Sequence, residues 1–360
     1  MKKRVFGLDL VRSVAFFFVI LVHSFSRSGF NTSPLSGFQM FSLLMIRCLA
    51  FVGVLLFIII TGYCKSHKNL SKEHFYSITR ILIIYFIISI VTIFFEKFYF
   101  HSDKTLYDYI IGILNFTTIP YAWYIEMYIG LFLLIPFLNI LYNNLQSKQN
   151  KIILLLTLLF ISSISGSFTN LNIEGKSLDV LPYWWGNLYP ILLYYVGVFI
   201  REYGIKINKV VNFIFITVII FIQSFMMFFY SQGQALLDSR IFLVENNFPS
   251  ILLSIFVFLF LYNIKIHSKF LSKTMYYISY ASFGGFLISY CYDLLFYDIN
   301  IFNKYDSHYF LMCTFLLTPL IFFTSTITSI IINKIYDFMN SLFKKLKSKH
   351  DLLVKNKDFY

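Results

Sequence analysis

The sequence LDLVRSVAFFFVILVH at residues 8–23 decides the fold class of this chain. It opens an apolar run that reaches residue 26, and an α-helix needs about 20 such residues to cross a ~30 Å hydrocarbon core. Nine similar runs follow, separated by short connectors. We therefore predict an all-α membrane protein with about ten transmembrane helices. The predicted spans are 8–26, 41–62, 77–95, 121–142, 152–166, 188–201, 210–230, 248–266, 278–297 and 309–332.

The composition of the chain agrees with a membrane location. Of its 360 residues, 58% are hydrophobic and 13% are charged, whereas soluble domains carry about 25% charged residues. The net charge of +13 does not predict nucleic-acid binding, because the basic residues lie in connectors and not along one exposed face. The four cysteines have no CxxC or Cys/His spacing, so we predict neither a metal site nor a disulfide framework.

The basic residues predict the orientation. Lys and Arg accumulate in cytoplasmic connectors, and alternate connectors, counted from the N-terminus, hold most of the 30 Lys and Arg residues. Both termini are therefore predicted to be cytoplasmic. We predict a transmembrane domain over residues 1–335 and a basic cytoplasmic tail over residues 336–360. The tail serves as a positive-inside anchor or as an amphipathic stretch that binds anionic lipid.

Six ionisable residues fall inside predicted spans, where each costs roughly 2.5–3.5 kcal/mol on insertion scales unless it faces a cavity or a partner. Two of them share the first span, where Arg12 and His23 are eleven residues apart. At 100° per residue this separation is three turns plus about 20°, with a rise of about 16 Å. One helix face therefore carries a cation near the cytoplasm and a titratable base near the outside. The six residues are Arg12, His23, Arg47, Arg80, Glu126 and Asp293.

The remaining charges fit the same two levels. Arg80 lies near the cytoplasmic end of the third span, whereas Arg47, Glu126 and Asp293 lie in outer halves. A basic inner level suits a phosphorylated cytosolic ligand, because Arg offers planar donors to phosphate oxygens.

Structural explanations for the same charges stay open at this stage. An Arg near a helix end commonly snorkels to the interface, which applies to Arg80 and Arg47. Arg12 can pair with Asp9, and Glu126 with Arg47. His23 can be a buried packing residue, and Asp293 is expected to be interfacial and solvated. The aromatic residues near the outer boundary, which include Trp123 and Tyr124, fit an ordinary interfacial belt.

Several segments together resemble the acyltransferase family 3 of integral membrane O-acyltransferases. The first span is similar to that family's first helix, in which an Arg is followed by ten residues and a His, as in Arg12 and His23. Two positions depart from the family pattern: Ser77 stands where a second arginine is frequent, and Ser289 stands where a late histidine is found. The other similar segments are FIIITGY (57–63), TRILIIY (79–85), AWYIEMYIGLFLLIPFLNIL (122–141) and YASFGGFLIS (280–289).

This resemblance implies transfer of an acetyl or similar acyl group from cytosolic acyl-CoA to a hydroxyl of a surface polysaccharide or lipid-linked glycan. Arg12 and Arg80 are then expected to bind the coenzyme phosphates, and His23 to act as general base. Glu126 is expected to orient His23 or the acceptor hydroxyl. Further acceptor contacts are assigned to Arg47, Trp123 and Tyr124. The implied partners are the lipid bilayer, acyl-CoA and the glycan, in a bacterial cytoplasmic membrane.

Two other functions remain open from the sequence. The chain can be a polysaccharide exporter or flippase without transfer chemistry, or a non-catalytic subunit of a glycan-synthesis complex. We find no internal repeat, which argues against a common secondary transporter. Polar residues at two matched levels argue against an inert subunit.

Overall fold

The structure, a computed structural model, describes residues 5–164, 167, 181–231, 233–235, 244–298 and 307–357. Apart from one isolated bridge between Pro34 and Ala235, these residues form helices and their connecting loops. The α-helices are α1 (Phe6–Ser28), α2 (Gly37–Ala50), α3 (Gly53–Lys65), α4 (Lys72–Tyr76), α5 (Thr79–Tyr99), α6 (Leu106–Leu114), α7 (Trp123–Asn144), α8 (Lys148–Leu159), α9 (Tyr189–Tyr203), α10 (Lys209–Ser231), α11 (Phe248–Leu261), α12 (Lys269–Asp298), α13 (Ser307–Met312) and α14 (Thr318–Lys357).

Helices long and apolar enough to cross a membrane confirm a multi-pass membrane protein. Six such segments occur among the described residues: Phe6–Ser28, Gly37–Lys65, Lys72–Tyr99, Pro120–Asn144, Lys209–Ser231 and His308–Leu342. The other four predicted spans fall on α8, α9, α11 and α12. Of these, α8, α9 and α11 have 12, 15 and 14 residues, which is short for a span. The described residues thus hold six candidate spans by length and composition, and the count of ten remains a prediction.

Helix α1 lies at the centre of the bundle, where it packs against α2, α3, α11, α12 and α14. Its residues Val11, Ala15, Phe16 and Ile20 are completely buried. A helix that is covered on several sides holds its polar side chains inside the protein and away from lipid. Arg12 and His23 are therefore carried by the innermost helix.

Helices α3 and α9 approach each other so closely that glycine is required on both. A Cβ atom at Gly62 would lie 1.9 Å from the Tyr194 carbonyl oxygen, and one at Gly197 would lie 2.0 Å from the Ile59 carbonyl oxygen. Small residues at such contacts let membrane helices pack backbone to backbone. This contact fixes α3, which forms part of the candidate site.

The second predicted span is not one straight helix. Helix α2 ends at Ala50 and α3 begins at Gly53, and the Phe51 amide donates to the Arg47 carbonyl oxygen at the junction. A Cβ atom at Gly53 would lie 2.8 Å from the Ala15 carbonyl oxygen. The break allows the chain to turn against α1 at this depth.

Some predictions fall at or beyond the limits of the described residues. Helix α14 continues through the predicted boundary at residues 335/336, so the division into a domain and a tail stays a prediction. Three basic residues of the connectors predicted to be outside, Lys176, Arg240 and Lys304, lie outside the described residues.

Candidate functional site

A cavity of about 310 Å³ lies between six helices and contains both arginines that were expected to bind the coenzyme phosphates. Arg12 enters it from α1 and Arg80 from α5, and Asn333 of α14 lies beside them. The opposite end of the cavity is apolar and is formed by Val19, Val54, Phe286 and neighbouring side chains. We call it the arginine cavity.

The two arginines are held by polar neighbours. An Arg12 Nη2 atom donates to Cys64 Sγ at 3.3 Å, and Nη1 lies 3.7 Å from Asp9 Oδ1. Arg80 Nη2 donates to Asn333 Oδ1 at 2.9 Å, and Nη1 lies 3.4 Å from Asp337 Oδ1. The alternative of an ion pair between Arg12 and Asp9 is therefore present in the structure, beside the cavity.

Lys65 contributes a third positive charge to the arginine cavity. Its ammonium group lies 4.8 Å from the centroid of the Phe132 ring, and no acidic partner is found for it among the described residues. Two of the three cations have an acid nearby and the third has none. The cavity therefore keeps an excess of positive charge, which suits a phosphorylated ligand.

A second, smaller cavity of about 120 Å³ contains His23. Its wall includes Ala50 and Phe51 from the α2–α3 junction, Trp123 from the start of α7, and Glu245 from the segment before α11. We call it the histidine pocket. The break between α2 and α3 thus has a function in the fold, because it shapes one wall of this pocket.

The His23 ring is fixed by aromatic stacking. It lies on the Tyr121 ring with centroids 3.6 Å apart and planes inclined by 16°, and Phe286 follows at 6.4 Å. Within the described part of the chain, neither ring nitrogen has a hydrogen-bond partner. A packing histidine normally has one. The nitrogens of His23 are therefore available to a molecule in the histidine pocket.

Asp293 is one part of the site that the sequence misplaced. It was expected to be solvated at the interface, but it is 0% exposed and accepts a hydrogen bond from the Tyr121 hydroxyl at 2.6 Å. Arg27 lies beside both residues and over the Tyr290 ring at 5.4 Å. Since a buried carboxylate needs such partners, this cluster anchors Tyr121 under His23.

The arginine cavity and the histidine pocket are neighbours. Val19, Val54 and Phe286 line both of them. Along α1, Val19 lies between Arg12 and His23, at a rise of about 10 Å from the first and about 6 Å from the second. These three apolar side chains form the partition between the two spaces.

The other predicted site residues are more scattered. Trp123 lines the histidine pocket and Tyr124 the arginine cavity. Glu126 is exposed and lies on the same face of α7 as the exposed residues Leu133 and Phe137. It does not line either cavity. The structure therefore does not bring Glu126 to His23.

Arg47 is buried in α2, with 5% of its surface exposed. Its Nε and Nη1 atoms have no hydrogen-bond partner among the described residues. The alternative of an ion pair between Arg47 and Glu126 is not found for these two residues, since Glu126 lies on the exposed face of α7.

Glu245 is the carboxyl residue that the sequence interpretation missed. It lies in a connector, just before α11, and lines the histidine pocket. Burial raises the pKa of its carboxyl group, although its own backbone amide opposes the shift. No apolar periodicity surrounds it, so no sequence signal distinguished it from other connector acids.

Comparison with protein families gives one result that bears on this geometry. A family model described as an acyltransferase domain matches residues 5–334, which confirms the resemblance noted from the sequence segments. No match is found among curated proteins or among solved structures.

Proposed function

Because the chain belongs to this acyltransferase family, we propose that it transfers an acetyl or similar acyl group from cytosolic acyl-CoA to a hydroxyl of a glycan. Membership of the family and the six long apolar helices make the protein a membrane acyltransferase. The coenzyme donor, the acetyl group and the surface polysaccharide or lipid-linked glycan acceptor are our proposals.

One observation carries this proposal: the arginine cavity and the histidine pocket adjoin across a thin apolar partition. Arg12, Arg80 and Lys65 supply positive charge for the phosphates of a coenzyme at one end. His23 supplies a base at the other end. The pantetheine arm of coenzyme A is long enough to cover the rise of about 16 Å between Arg12 and His23.

The chemistry of the step assigns a role to His23. A ring nitrogen takes the proton of the acceptor hydroxyl while the hydroxyl oxygen attacks the thioester carbonyl carbon. The carbon–sulfur bond then breaks, and the departing thiolate takes the proton from the imidazolium. The products are an ester and free coenzyme A. A positioned histidine in this role typically supplies about 10²–10⁴-fold.

The remaining predicted residues take different parts in the proposal. Trp123 lies where it contacts an acceptor in the histidine pocket, whereas Tyr124 contacts the acyl arm in the arginine cavity. For Arg47, which lines neither cavity, the acceptor contact rests on the sequence alone. For Glu126, the catalytic role rests on the sequence alone.

The orientation of the protein belongs to the same proposal. We infer ten spans with both termini in the cytoplasm, in a bacterial cytoplasmic membrane, from the distribution of Lys and Arg. The arginine cavity then opens towards cytosolic acyl-CoA and the histidine pocket towards the outer face. Residues 336–360 form a basic cytoplasmic tail after the transmembrane domain.

Arg12→Ala should weaken acetyl-CoA binding about 10- to 100-fold, because a hydrogen bond to a charged group contributes about 1.5–3 kcal/mol. Arg80→Ala should have a similar effect. Binding of acetyl-CoA to purified protein in detergent, measured by calorimetry, tests this expectation.

Lys206→Ala is the matched control, because it removes a positive charge from an exposed position outside the arginine cavity. It should bind acetyl-CoA as the parent protein does. Equal affinity of the Arg12→Ala, Arg80→Ala and parent proteins, all folded, would remove the arginine cavity as the donor site.

A further inference from the structure

The histidine pocket contains one acidic residue, Glu245, among those that line it. Tyr189 lies within electrostatic range of the Glu245 carboxylate. Among the residues that the structure describes, no cation pairs with Glu245. Its carboxylate accepts a hydrogen bond from its own backbone amide. An acid that faces a small pocket beside an unpartnered histidine is placed to act on whatever enters that pocket.

The segment that carries Glu245 is tightly positioned. The neighbouring Asn246 packs on Gly186, where a Cβ atom would lie 2.2 Å from the Asn246 amide nitrogen. The next residue, Asn247, is buried and precedes the first turn of α11. These contacts fix the backbone that directly follows Glu245, whose side chain lines the histidine pocket.

We propose that Glu245 is the catalytic carboxylate of the histidine pocket, which accepts a hydrogen bond from the acceptor hydroxyl and stabilises the imidazolium form of His23. This inference rests on the proposed transfer function and adds to it a residue for the acceptor step. It assigns to Glu245 the part that the sequence alone assigned to Glu126.

In the transfer step, no bond to Glu245 forms or breaks. The hydroxyl proton passes to His23 and then to the departing thiolate of coenzyme A, while the carboxylate remains ionised. Its negative charge is most useful in the transition state, when the imidazole ring becomes positive. A pocket of about 120 Å³ has room for a hydroxyl-bearing group and little else, so the charges act at short range with weak screening.

Glu245→Gln keeps the shape of the side chain and removes its charge. We expect kcat for transfer of radiolabelled acetyl groups from acetyl-CoA to envelope polysaccharide fragments to fall about 10- to 100-fold, the range for losing a hydrogen bond to a charged group. KM for acetyl-CoA should not change, because Glu245 does not line the arginine cavity. Glu73→Gln, an exposed acid outside both cavities, is the control and should match the parent protein.

A normal kcat in Glu245→Gln, alongside an active parent protein, would overturn this assignment and leave the transfer function standing. An inactive parent protein would instead defeat the transfer function itself. If Glu245→Gln does not fold, Glu245→Asp decides, since it keeps the charge but withdraws it from the pocket. Its kcat should fall, and an unchanged kcat would also overturn the assignment. Glu126→Gln measured in parallel should show the smaller loss of the two Gln variants.

Discussion

His23→Ala is expected to lower acyl transfer by about 10²–10⁴-fold, because an alcohol attacks a thioester slowly unless a base removes its proton. This corresponds to about 3–5 kcal/mol of activation free energy. Acetyl-CoA affinity should stay normal, since Arg12 lies about 16 Å away along α1. The measurement is transfer of radiolabelled acetyl groups to envelope polysaccharide fragments by equal amounts of folded protein.

His101→Ala is the control for this variant, because His101 is exposed in a connector. It should retain parent turnover. If His23 were only a packing residue against Tyr121, its Ala variant would lose thermal stability and keep its turnover per folded molecule. That pattern would contradict the general-base role.

Val54→Trp is expected to lower transfer by about 10²-fold or more. Val54 lines both the arginine cavity and the histidine pocket. The larger indole ring of a Trp at this position would occupy the space between them. The thioester carbonyl is then kept from His23, and a displacement of about 1 Å at the reacting groups can cost about 10²-fold. Acetyl-CoA binding should change little, because Arg12 and Arg80 lie at the opposite end of the cavity. Parallel binding and transfer assays report both quantities.

Leu133→Trp provides the matched control, since Leu133 is exposed on α7 and does not line either cavity. It should bind acetyl-CoA and transfer acetyl groups as the parent protein does. Val54→Leu should fall between the parent protein and Val54→Trp. Normal transfer by folded Val54→Trp would mean that the acyl group does not pass this partition.

Helical periodicity was sufficient to predict how Arg12 and His23 are arranged on the first helix. The spacing of Arg12 and His23 placed them on one face of the first helix, and the structure puts them on the walls of two adjoining cavities. The length of the apolar run predicted α1 to within two residues at each end. The length of a helix and the face that a residue occupies depend on that helix alone, so both can be predicted from a single sequence.

The surroundings of the histidine pocket depended on contacts that no local pattern encodes. Tyr121 and Asp293 are 172 residues apart in the chain, and an Asp near a span end is commonly solvated. Glu245 lies in a connector and reaches the histidine pocket through the packing of its segment on Gly186. Glu126 lies in the first turn of α7, but the face of α7 that it occupies is the exposed one.

The direction of transfer tests the central claim most directly. The protein is reconstituted in sealed vesicles, the fraction with inward-facing C-terminal tails is determined by protease protection, and radiolabelled acetyl-CoA is supplied on one side with polysaccharide fragments on the other. We expect labelled polysaccharide when acetyl-CoA is on the side of the tail and the acceptor is opposite. Labelling that requires donor and acceptor on the same side of the membrane would contradict transfer through the arginine cavity to His23.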